Sequence, residues 1–94
     1  MTESRLNQIS DRRARIEAKL RERLEAVHAG VTDESHLHAG HPGARSGAGH
    51  FRVWVVSRKF EGLSRVKAQR LVYDALADEM GGAIHAITIN TMTA

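Results

Sequence analysis

The chain has 94 residues, is 41% hydrophobic and only 4% aromatic, and carries a formal net charge of +3. That length gives one small domain, residues 1–94, with an aliphatic core and no room for a second. The absence of cysteine excludes a disulfide-stapled secreted scaffold and points to the reducing cytoplasm. No apolar run approaches the roughly 18 residues of a membrane span, and the opening segment lacks the hydrophobic region of a signal peptide, so no membrane association is expected.

Leu6, Ile9, Ile16, Leu20 and Leu24 recur at helical spacing and predict a helix from about Glu3 to Glu25. Arg12, Arg13, Arg15, Lys19, Arg21 and Arg23 fall mostly on its other faces, and with Glu17 one turn before Arg21 this reads as a solvated charged surface. The period then changes. Val27, Ala29 and Val31 alternate with His28, Gly30 and Thr32, the pattern of a half-buried strand, although Gly30 also suits a helix C-cap. A long His- and Gly-rich loop follows, residues 35–49, with Gly40, Gly43, Gly47, Gly49 and the only proline, Pro42. Such a segment packs no core of its own and reads as a flexible, functional loop. Phe51 to Val56 is β-branched and aromatic, a central strand, and Phe60, Glu61 and Gly62 form a turn. Ser64 caps a helix to Met80, because Ala68, Leu71, Val72, Ala75, Leu76 and Met80 share one face before Gly81 and Gly82 stop it. Ala86 to Met92 alternates again and gives the last strand.

The resulting order is helix, strand, strand, helix, strand, an α+β arrangement. The first two strands pair antiparallel, and the helical crossover sets the third parallel to the second. The loop enters the second strand at its N-terminal end and His85 enters the third strand at its own. Parallel strands therefore bring His85 and the loop histidines to one edge of the sheet. Of six histidines, four lie at positions 36, 38, 41 and 50. Imidazole is the softest ligand available in a chain without cysteine, so this edge reads either as a metal site or as a solvated His-rich loop. Two imidazoles leave open coordination positions, which predicts a weak site completed by a partner.

A second surface lies at the opposite edge. Arg58 and Lys59 leave the second strand there, and Arg65, Lys67 and Arg70 project from the start of the following helix, an arrangement suited to phosphate and to nucleic acid. Trp54 shares a strand face with Arg52 and offers a stacking platform on the uncovered side of the sheet, or simply fills space. No motif places a serine with a histidine and an acid, and no phosphate-binding lysine follows the glycines, so an enzyme is not expected.

Several runs, in order, resemble the BolA family: Asp33-Glu34-Ser35 with His38, His50-Phe51-Arg52-Val53, Arg58-Lys59-Phe60-Glu61-Gly62, Gln69-Arg70-Leu71-Val72-Tyr73, Ala75-Leu76-Ala77-Asp78-Glu79 and Ile84-His85-Ala86-Ile87. The resemblance implies a fold related to the class II KH domain with a three-stranded mixed sheet. It implies an adaptor that pairs with a monothiol glutaredoxin, as a heterodimer, and co-ligates a [2Fe-2S] cluster in iron-sulfur trafficking or iron sensing. The glutaredoxin cysteine and glutathione hold one iron in that arrangement. The family's histidine at the start of the last strand falls on His85 and its loop ligand on His38, with His41 or His36 as alternates in this longer loop. A monomer without cluster is expected when the chain is alone. The family also implies the alternative of a DNA-binding transcriptional regulator acting through the basic surface. Where the family helix reads arginine, histidine, arginine, this chain has Ala68, Gln69 and Arg70, and it lacks the Gly-x-x-Gly loop that clamps nucleic acid in KH domains.

Overall fold

A computed structural model describes residues 2–34 and 49–94, with side chains described from residue 12 onward. The elements are α1 (Thr2–Arg23), β1 (His28–Asp33), β2 (His50–Val56), a single 3-10 turn (Arg58–Phe60), α2 (Arg65–Ala75) and β3 (Ala86–Met92). The sheet order is β1-β2-β3, with β1 antiparallel and β3 parallel to β2. Two helices and a three-stranded mixed sheet make the small α+β domain that the periodicities predict.

Both helices pack on one face of the sheet. Alternation puts Phe51, Val53 and Val55 of β2, Ala29 and Val31 of β1 and Ile89 of β3 on that face, where they meet Ile16, Leu20 and Leu24 of α1 and Ala68, Val72 and Ala75 of α2. Among the described residues, no helix covers the other face.

The boundaries of α1, β1 and α2 differ from the sequence reading, each for a local reason. α1 stops at Arg23, not Glu25: Glu25 adopts φ 48 and Ala26 N–H donates to the Arg21 carbonyl, the six-to-one bond of a Schellman cap. Gly30 lies inside β1, so it is no cap, while Val27 falls outside the strand and is exposed. α2 ends at Ala75, five residues before Met80. Leu76 caps it, and the chain continues in a turn where Met80 N–H also donates to the Leu76 carbonyl. Leu76 is buried and Met80 packs on the core, so the apolar spacing persists after the helix has ended.

Much of the basic character of α1 is not merely solvated. Arg15 donates to both carboxylate oxygens of buried Glu79 at 2.6 and 2.9 Å, Lys19 reaches Glu79 at 2.6 Å and Asp78 at 2.8 Å, and Arg23 reaches Asp78 at 2.9 Å. Arg12 pairs with Asp33 at 2.6 Å and lies 5.3 Å over the Phe51 ring. Arg21 donates to the Ala29 carbonyl on the outer edge of β1 and helps cover that edge. Among the described residues, no helix is long and apolar enough to cross a membrane.

Candidate functional site

The parallel register of β2 and β3 pairs His50 with Ala86, so His85, one residue earlier, arrives beside His50. Their ring centroids are 5.9 Å apart with the planes tilted by 50°. A backbone clamp holds this geometry. The Gly49 carbonyl accepts from both His85 N–H at 2.8 Å and Ala86 N–H at 3.0 Å, which fixes the entry of β3 against the entry of β2. On the other side, Glu34 N–H donates to the His50 carbonyl at 2.7 Å. The stretch between Glu34 and Gly49 therefore leaves and re-enters at the same edge, with His85 beside it.

His85 is exposed and His50 half-buried. Two imidazoles that share one ion at about 2.0–2.1 Å per metal–nitrogen bond have ring centres roughly 5–6 Å apart, a separation close to that of His50 and His85. Among the described residues no group of three or more His, Cys, Asp or Glu side chains is placed to hold a metal. His36, His38 and His41 lie outside the described residues.

The sequence reading counts His50 in the histidine cluster but names only His85 and the loop histidines His38, His41 and His36 as ligands. The signal for His50 was present: it directly precedes the β-branched run of the central strand, and extending that strand by one residue puts it on ordered backbone opposite Ala86.

The basic surface forms at the other end of the sheet. Ser57 opens the 3-10 turn; its hydroxyl accepts from Lys59 N–H at 3.0 Å and donates to the Leu24 carbonyl at 2.6 Å, fixing where Arg58 and Lys59 emerge. The Ser64 hydroxyl caps α2 by accepting from Lys67 N–H at 3.2 Å. Arg58, Lys59, Arg65, Lys67 and Arg70 are all exposed, and Lys59 stands 3.5 Å from Glu25. A groove lies between the start of α2 and β3, lined by Phe60, Leu63, Ala68 and Ile89 with Arg65 at its rim. The two surfaces occupy opposite ends of the sheet, as the topology requires.

The comparisons agree with this architecture. The family model for BolA-like protein matches residues 20–94. BolA-like protein 1 of Homo sapiens is 46% identical over 80 residues, 85% of this chain and 56% of that protein. The chain therefore spans little more than half of that relative's length. The DNA-binding transcriptional regulator BolA of Escherichia coli strain K12 is 38% identical over 81 residues, 86% of this chain and 74% of that protein. Among solved structures, the BolA domain of SufE1 from Arabidopsis thaliana superposes with TM-score 0.75 at 42% identity, covering 87% of this chain and 91% of that one. A helix, an antiparallel strand pair, a crossover helix and a parallel third strand, carrying the motifs of one family along most of their length, lead to one assignment: the chain belongs to the BolA-like protein family.

Proposed function

We propose that the chain is a non-enzymatic adaptor that pairs with a monothiol glutaredoxin and contributes His85, with a second imidazole, to a shared [2Fe-2S] cluster. The observation that carries this reading is the two-histidine edge: His85 held 5.9 Å from the His50 ring by the Gly49 clamp, with Glu34 and Gly49 fixed at the same edge. Two imidazoles on one ion would leave positions for another molecule's thiolates. The resemblance assigns the second ligand to His38, or to His41 or His36, and the geometry adds His50. When bound, such a cluster supplies one-electron chemistry at a potential raised by imidazole ligation. The residues of this chain position the rings and fix their spacing.

The test is reconstitution of the chain with a monothiol glutaredoxin and glutathione, read by visible absorption and circular dichroism. His85→Ala is expected to abolish or destabilise the band, and an unchanged band overturns the reading. Parallel His50→Ala and His38→Ala variants identify the second ligand.

A second reading is supported by the exposed cluster Arg58, Lys59, Arg65, Lys67 and Arg70 around the α2 start, and by a relative named as a DNA-binding transcriptional regulator. In this reading the cluster contacts duplex phosphates. Titration of labelled duplex DNA at several salt concentrations is then expected to give a log–log slope that falls by about 1 in magnitude for each lost phosphate contact in Arg65→Gln or Lys67→Gln. Affinity without salt dependence overturns it.

A further inference from the structure

The open face of the sheet carries a feature that neither reading uses. Trp54, the only tryptophan, is 47% exposed and pairs with Gly30 across β1 and β2 and with Asn90 across β2 and β3. A Cβ built on Gly30 would sit 1.9, 2.1 and 2.2 Å from three consecutive atoms of the six-membered indole ring, Cζ2, Cη2 and Cε2. Near-equal distances to adjacent ring atoms place the ring face-on over the Gly30 backbone, not edge-on. One face of the indole is therefore seated on β1, and the other is presented to solvent. Only glycine leaves room for this arrangement.

What surrounds the ring selects the occupant. Arg52 lies two residues away on the same strand face, about 7 Å along β2, and Thr32 and Thr88 flank it in register. The strand residues that point to this face include His28, His50 and Arg52 and no carboxylate; the one acid at its rim, Glu34, is 3.3 Å from Arg52. On its other side the ring is bordered by Val56 and exposed Met92, but a strip of three apolar side chains falls well short of a dimer interface, and a second copy of this face adds no strand carboxylate to meet Arg52. A flat π-surface bordered by hydroxyl and amide groups and a cation matches a nucleobase with its phosphate.

We infer that Trp54, held flat over Gly30, is a stacking platform for a base of single-stranded nucleic acid, with Arg52 meeting the adjoining phosphate. Arg52 borders the histidine edge through His50, but Trp54 itself lies four residues along β2 from His50, and its test reads neither cluster assembly nor duplex binding.

The sole tryptophan makes the test direct. Titration of the full chain with an eight-residue oligothymidine and, in a second arm, an eight-residue oligouridine is expected to quench Trp54 fluorescence saturably; the tighter arm identifies DNA or RNA. Loss of one stacked base corresponds to roughly 5- to 150-fold in affinity, so Trp54→Leu should weaken binding of a labelled oligomer by that factor while duplex binding through the basic turn is retained. Arg52→Gln keeps the platform and should lower the salt slope by about 0.7. The inference is overturned if neither oligomer quenches Trp54, or if Trp54→Leu binds single strands as tightly as the wild type. It is equally overturned if the fluorescence changes with protein concentration alone, which would assign the face to self-association.

Discussion

Gly49 shows how one residue sets the geometry of the histidine edge. A Cβ at this position would lie 2.0 Å from the Ala83 carbonyl oxygen and 2.5 Å from Phe51 Cε2. The first of these is backbone, and the Gly49 carbonyl is at the same time committed to His85 and Ala86, so neither strand entry can retreat without losing the clamp. Gly49→Ala should therefore cost about 1–3 kcal/mol, the range of overpacked sites, and should separate the His50 and His85 rings. Chemical denaturation gives the first quantity. A loss of two-histidine binding to added zinc or cobalt, measured on the folded fraction, gives the second, and unchanged metal affinity would show that the clamp does not position the imidazoles. The juxtaposition itself was half legible. Topology alone led His85 to the loop's edge of the sheet, but which imidazole meets it depends on a one-residue extension of β2 that β-propensity does not mark, because histidine is neutral in strands.

At the scale of elements, Ser57 joins two that are far apart in sequence. It is fully buried, caps the 3-10 turn and donates to the Leu24 carbonyl at the C-terminus of α1. Ser57→Ala removes the turn's cap and leaves a carbonyl without its donor, which costs about 1–3 kcal/mol. Urea unfolding should show a lower midpoint with an unchanged slope. If the midpoint does not move, water replaces the hydroxyl and the link is dispensable. The elements themselves were largely readable: β3 runs over Ala86–Met92 as its alternation indicates, because strand period and burial coincide there. α2 was overrun, since Leu76 and Met80 satisfy helical spacing while their backbone turns away; hydrophobic periodicity reports which side chains meet the core and is blind to the hydrogen bonds that end a helix. The ion pairs of Arg15, Lys19 and Arg23 escape the sequence for a related reason: Arg15 meets Glu79 across a sequence separation of 64, beyond any local pattern.

Across the whole molecule, that distant ion cluster ties the first helix to the turn between α2 and β3, and its titration gives a pH dependence of definite sign. Hydrogen bonding to Arg15, with Lys19 adding to it against the cost of burial, holds the Glu79 carboxyl below its usual value, and Arg23 and then Lys19 do the same for Asp78. Both carboxylates bind protons more readily in the unfolded chain. Their stabilisation is thus fully present above the ordinary carboxylate values of about 4 and is lost as pH falls through the lowered ones. Lys19 shifts upward through hydrogen bonds to Asp78 and then Glu79; its contribution is complete below its ordinary value near about 10.4 and fades only above the raised one, so it does not alter the acid limb. The melting temperature of the wild type should hold from pH 7 to about pH 5 and then drop steeply below about pH 4. Glu79→Gln, which keeps the shape and removes the charge, should start about 1 kcal/mol less stable at neutral pH, a modest loss because the Arg15 side chain is half exposed. Its acid limb should also be shallower, so the two curves converge as pH falls. Parallel curves would mean that Glu79 contributes packing alone and that its charge plays no part in the acid limb.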